Sequence, residues 1–152
     1  MMNDNLRDRV LSSLDNSSSA FMNGDPSFFD YFAKDATIYS VGSTEPIHGR
    51  ETYRQQFEGT LTANRREETV LDRTVQIVGD KAVVAQTVQI KQGDVVANAR
   101  QTIVYGDTAE GLKVLHLHTS LMGNLAPEMS ASAVHIVNEA VGVAAPIVGV
   151  AQ

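Results

Sequence analysis

A chain of 152 residues, 43% hydrophobic and 20% charged, has the size and make-up of one globular domain with a core of its own. The formal charge of −6, with no Lys/Arg cluster beyond Arg65–Arg66, argues against nucleic acid as a partner, and zero cysteines exclude disulfides, thiol nucleophiles and thiolate metal sites. No apolar run approaches the roughly 20 residues of a membrane span, and the N-terminal MMNDNLRDRVLSSLDN lacks the core of a signal peptide, so cytoplasmic residence is the expectation.

Leu6, Val10, Leu14, Ser17 and Phe21 recur at spacings of three and four and predict a first helix. Asn23-Gly24 supplies its stop, and Asp25-Pro26 reads as an N-cap followed by proline at the first position of a short helix through Phe28, Phe29 and Phe32. A strand from Thr37 to Val41 then runs into a Gly/Ser/Pro turn. A third helix follows from Gly49 to Asn64, with Tyr53, Phe57 and Leu61 on one stripe. Tyr31, Tyr53 and Phe57 are expected in the core, and Asp35 and His48 as solvated caps.

From Glu67 onward the period becomes two. ETVLDRTVQIV, KAVVAQTVQIK, VVANARQTIVY and LKVLHLHTSL are rich in Val, Ile and Thr, and GD, QGD and GDTAEG separate them. Turns that short make sequential strands antiparallel. Helices followed by a four-stranded meander give an α+β arrangement, with the helices packed on one face of a curved antiparallel sheet.

Strict alternation puts Leu112, Val114, His116, His118 and Ser120 on one side of the last strand, and Leu115, Leu117 and Leu121 on the other with Lys113 and Thr119. The histidine side is expected to face an internal pocket. The leucine side, with Ile103 and Tyr105 of the preceding strand, is expected to meet a second copy in a homodimer. Residues 1–121 form the expected domain. Residues 122–152 form an apolar tail, with a helix face at Val134, Val137 and Val141 that cannot continue through Pro146. It would pack on its own or a partner subunit, or serve as a targeting or recruitment peptide.

The phrases FMNGD, FAKDATIY, HGRETYR, VGDKAVVAQ, ARQTIVY and LKVLHLHTS, in this order over about residues 5–121, resemble the SnoaL-like and ketosteroid-isomerase-like branch of the nuclear transport factor 2 superfamily. The resemblance implies a cone: a bent sheet wrapped on helices, enclosing a pocket, and usually a homodimer through the outer sheet face. It does not settle function, because the superfamily hosts isomerases, cyclases, dehydratases, epoxide hydrolases, transport adaptors and assembly hubs. The position matching the isomerases' general base is Ser40. The positions matching their tyrosine and protonated aspartate fall near Ser17 and Thr102. An alkyl hydroxyl cannot abstract a carbon-bound proton unaided, so steroid isomerase activity is not expected.

Other pocket candidates come from the residues themselves. His116 and His118, at i and i+2, sit about 7 Å apart on one strand face. His118 is a candidate catalytic base with a pKa ordinarily near 6.5, set against a structural histidine bonded within the fold. Tyr39 is a second catalytic candidate, although it lies on the strand face opposite Ser40. Arg100, expected inside with Thr102 and Val104, either pairs with Glu67 or Glu68 or waits for an anionic ligand. Val83 or Val84, Val104, Val114 and Leu112 would supply the apolar wall, with His116, Thr102 and Ser40 beside the ligand.

A third metal ligand cannot be placed, there is no glycine-rich phosphate loop, and Ser120 with His118 lacks the third group of a triad. No metal and no cofactor are expected. Two function classes stay open. One is a pocket protein that binds or converts a small, largely apolar carbonyl or carboxylate compound, with isomerase-, cyclase- or dehydratase-type chemistry undecided. The other is a non-catalytic dimeric scaffold whose tail recruits a partner, since VLHLHTS also resembles the closing strand of kinase assembly-hub domains.

Overall fold

The computed structural model describes residues 2–41 and 43–122, with side chains from residue 5 onward, so the expected 122–152 tail lies outside the described residues from 123 onward. Helix α1 (Met2–Asn23) buries Leu6, Val10, Leu14 and Phe21, the stripe read from the sequence. It stops at Gly24, whose φ of +66° favours glycine and where a Cβ would meet the Leu61 carbonyl oxygen at 2.7 Å. The Asp25 carboxylate then accepts from the Ser27 N–H at 2.9 Å and caps a 3-10 helix, Pro26–Tyr31.

Strand β1 (Phe32–Tyr39) begins where that helix closes, five residues earlier than Thr37, because Phe32 is already extended at φ −99° and ψ 143°. A two-residue strand, β2 (Ile47–His48), pairs back on it ahead of α2 (Arg50–Ala63). Phe28, Phe29, Phe32, Tyr53 and Phe57 pack mostly edge to face and join α2 to the 3-10 helix. Arg66 is buried at the helix ends. It donates to the carbonyls of Phe21 (2.7 Å) and Leu61 (3.5 Å) and lies over the Phe21 ring.

The meander follows as β3 (Glu67–Val78), β4 (Lys81–Gln92), β5 (Val95–Thr108) and β6 (Gly111–Leu121). The result is an α+β fold with a curled, unclosed six-stranded sheet in the order β2-β1-β6-β5-β4-β3. One pair departs from the antiparallel expectation: β1 runs parallel to β6. Tight turns dictate direction only between strands adjacent in sequence, and β1 reaches β6 through α2 and three intervening strands.

Two bulges reset which side chains face the helices. In β3, Val70 pairs with Val88 but Asp72 with Thr87, so Leu71 is the extra residue. In β6, Val114 pairs with Tyr105 but His116 with Val104, so Leu115 is extra. Its side chain sits over Gly106, where a Cβ would meet Leu115 Cδ1 at 2.7 Å. An extra residue reverses the alternation beyond it.

The face assignments for β5 and β6 are corrected accordingly. Ile103, Tyr105 and Leu117, expected at an outer dimer face, are buried in the core, and Leu115 is half-buried in the bulge. Arg100, Thr102 and His118, expected inside, are exposed on the outer face, where Val104 and His116 are half-buried. For β6 the cause is the bulge, after which the inward set passes from Val114 to Leu117 and Thr119. For β5 both faces carry apolar residues. Pairing decides between them, because Ala82 and Val84 of β4, fully buried, stand opposite Tyr105 and Ile103.

Candidate functional site

The helix-side face of the sheet, α1 and the 3-10 helix enclose a cavity. Leu14, Phe21, Phe28, Phe32, Ile103, Val114 and Leu117 form its apolar wall. Its volume, measured as space open to water centres, is about 60 Å³. One water needs roughly 10–15 Å³ on that measure, so the space suits a few waters or a molecule of similar heavy-atom count. A steroid skeleton exceeds it.

A polar belt crosses this apolar surface. Arg73, Gln86, Gln101 and Thr119 come one from each of β3, β4, β5 and β6, at directly paired positions. Arg73 Nε donates to Gln86 Oε1 at 2.8 Å, Gln86 Nε2 to Gln101 Oε1 at 2.8 Å, and Gln101 Nε2 to Thr119 Oγ1 at 3.3 Å. Among the described residues, the terminal nitrogens of Arg73 have no hydrogen-bond partner. At the α1 side, Ser18 Oγ donates to Glu68 Oε1 at 2.7 Å. Burial raises the proton affinity of the Glu68 carboxyl, against the opposing pull of Ser18 and the Arg73 charge. Burial likewise raises the Tyr105 phenol, opposed by Ser13, Ser17 and Arg73.

The bulge in β3 builds this cluster. Glu68 and Arg73 are five positions apart, an odd step, and would lie on opposite faces of a regular strand. With Leu71 inserted between them, both line the cavity.

Of the candidate pocket residues and their proposed partners, Val114, Ser17 and Glu68 line the cavity. Val84 is buried beside Ile103, with Val83 on the opposite alternation. Leu112 belongs to a separate surface groove with Asp8, Arg9, Asp30 and Lys113. Ser40 is buried just after β1, its hydroxyl without a partner among the described residues, and it is not among the cavity-lining residues. Tyr39 is 43% exposed on the outer face, its ring centroid 5.7 Å from His116 and 5.6 Å from His118. The two histidines therefore share a face, as their spacing required, but it is the face away from the cavity, with Arg100 and Thr102. Glu68 bonds Ser18 rather than Arg100.

Sequence reasoning missed Arg73, Gln86, Gln101 and Tyr105. A usable signal was present in two glutamines within otherwise apolar alternations: Gln86 among Ala82, Val84, Val88 and Ile90, and Gln101 among Ala97, Ala99, Ile103 and Tyr105. A polar residue on a core-facing stripe must find partners there. Among the described residues, no group of three His, Asp or Glu is placed to hold a metal, and no helix is long and apolar enough to cross a membrane.

The family model for a SnoaL-like domain matches residues 10–124. The chain belongs to the SnoaL-like domain family. No curated protein matches. Among solved structures, this SnoaL-like chain is similar to one from Xanthomonas campestris named for a calcium/calmodulin dependent protein kinase II association domain. Identity is 25% and the TM-score 0.68, over 77% of this chain and 88% of that one. A structure from Streptomyces avermitilis named for a dehydratase of the NTF2-like family shares 18% identity at TM-score 0.70, over 80% and 99% of the two chains. One from Parabacteroides distasonis named for a ketosteroid isomerase shares 19% at TM-score 0.65, over 77% and 88%. At those last two identities the likeness shows the fold alone.

Proposed function

We propose that this SnoaL-like domain binds a small, largely apolar molecule carrying a carbonyl or carboxylate, with its polar end on the Arg73–Gln86–Gln101 side of the cavity. The supporting observation is the Arg73 guanidinium. It is fixed by Gln86 through Nε, and its terminal nitrogens have no hydrogen-bond partner among the described residues lining the cavity beside the apolar wall. A ligand oxygen gains from donors already held in place and partly stripped of water. Steroid isomerisation does not belong to this reading, because Ser40 replaces the base and the inward neighbours of Thr102 are Gln101 and Ile103.

The test is a thermal-shift series with propanoate, butanoate and cyclopentanone, whose sizes match the cavity. A bound compound raises the melting temperature by mass action. Arg73→Met should shrink the shift, most for the two carboxylates, while Arg100→Met and His118→Ala on the outer face should leave it unchanged. If none of the compounds stabilises the wild type, the binding reading fails.

A second reading, a homodimeric scaffold, is favoured by the outer face, where the exposed Tyr39 ring lies against His116 and His118 beside half-buried Val104. The similar structure from Xanthomonas campestris is itself named for an association domain. On this reading Tyr39→Asp gives a monomer by light scattering. A Tyr39→Asp protein with the wild-type mass removes this face from the interface.

A further inference from the structure

The cavity and the surface groove lie end to end along the same two elements. On β6, Leu112 lines the groove and Val114 the cavity, neighbours on one strand face ahead of the Leu115 bulge. On α1, Ser13 lines the groove and Ser17 the cavity, one helical turn apart. Tyr31, the last residue of the 3-10 helix, lines both spaces and stands as the partition between them. The groove offers about 580 Å³ on the measure by which the cavity offers about 60 Å³. A molecule too long for the cavity alone therefore has room beyond Tyr31.

The partition is held less firmly than the wall around it. Phe21, Phe28, Phe32 and Tyr53 line the cavity and hold one another through tilted or edge-to-face contacts. Tyr31 is half-buried and, among the described residues, has neither a ring contact nor a hydrogen bond. Turning its ring to another rotamer breaks no specific bond. Leu112 and the Tyr31 ring give the groove apolar surface, and Ser12, Ser13 and Asn16 give it hydrogen-bonding groups.

We infer that the cavity and groove together take a longer-chain carboxylic acid, its carboxylate on Arg73 and its chain passing Tyr31 to lie in the groove. Tyr31 then determines how long a chain is accepted. The inference rests on the binding reading and extends its ligand class from acids that fill the cavity to acids that leave it. Each methylene removed from water tightens binding about fourfold when burial is complete. Over an open groove about half of that free energy is gained, so the extra methylenes of octanoate over butanoate are worth about tenfold.

The experiment is calorimetric titration with butanoate and octanoate, below the concentration at which octanoate forms micelles, read as the ratio of their dissociation constants. Wild type should bind octanoate about tenfold more tightly than butanoate. Tyr31→Trp, which enlarges the partition, and Ser12→Trp, at an exposed position of the groove, should bring that ratio to about one. Tyr31→Ala should preserve or raise it, and Arg73→Met should weaken both acids, as expected of a shared head site. A wild type that binds butanoate as tightly as octanoate, or more tightly, overturns the inference and leaves the binding reading standing. A tenfold preference kept by both tryptophan variants also overturns it, because the chain then lies elsewhere. If neither acid binds, the binding reading falls and this inference falls with it.

Discussion

The two faces of the sheet use their polar side chains in opposite ways. On the helix side, Arg73, Gln86, Gln101 and Thr119 are bonded in sequence across four strands, within a wall of aromatic and aliphatic groups. On the outer side, Arg100, Thr102, His118 and Ser120 stand exposed, and Tyr39 meets its histidine neighbours through ring contacts. Titratable residue types alone would favour the outer face as a reactive site. Enclosure reverses that preference, because a group withdrawn from water must be satisfied by a fixed partner or by a ligand.

The sharpest way to break this contrast is to remove the packing that encloses one face. Phe57→Ala, at a fully buried ring in contact with Phe28, Phe29 and Tyr53, should cost about 3–5 kcal/mol in denaturant unfolding. Thr102→Ala on the outer face should stay within about 0.5 kcal/mol. Next in size is Gln101→Leu, which takes the acceptor from Gln86 Nε2 and the donor from Thr119 Oγ1. A loss of about 1–3 kcal/mol is expected, and part should return in the Gln86→Leu/Gln101→Leu double variant.

Glu68 gives the contrast a pH dependence. Its folded proton affinity is raised above that of the unfolded chain, so the folded state holds the proton to higher pH. Its contribution is fully present below the unfolded carboxyl pKa and is lost as pH rises through the folded value. Glu68→Gln should flatten that fall in unfolding free energy measured across the acidic range and leave the protein more stable near neutrality.

Asp107 has the opposite sign. The Arg9 guanidinium, 2.6 Å away, lowers its carboxyl pKa, so its contribution is present above the unfolded value and lost as pH falls through the folded one. Both partners are largely exposed, and Asp107→Asn should cost less than about 1 kcal/mol, an effect that shrinks in high salt. A larger, salt-insensitive loss would show that this surface pair carries more than screened charge.

The elements of the fold were legible because their patterns are local. The α1 stripe, the Gly24 stop, the Asp25 cap and the turns of the meander all lie in stretches of a few residues whose backbone preferences agree. The cavity was less legible because its composition depends on pairing between distant strands. Alternation read Leu112 and Val114 onto one side correctly, then carried the same parity through Leu115 to the histidines. Nothing in KVLHLH marks the insertion. In β5 the clue was the unlikely glutamine at position 101 rather than the conspicuous arginine at 100. Chemical reactivity and inward orientation are independent properties, and only the second depends on register.

The Leu115 bulge has a consequence for how such a chain can change over evolutionary time. With Leu115 seated over Gly106, the strand carries its surplus residue at a tolerant spot next to a position without a side chain. Loss of that one codon would rejoin the two halves of β6 in a single alternation. His116 would then follow Val114 directly, so both histidines would stay on the outer face and Leu117 and Thr119 would stay inward. The spare residue thus lets this strand lose a codon without turning its faces over. A three-nucleotide deletion at Leu115 would leave the same side chains lining the chamber, so the bulge acts as a buffer for length changes in this strand.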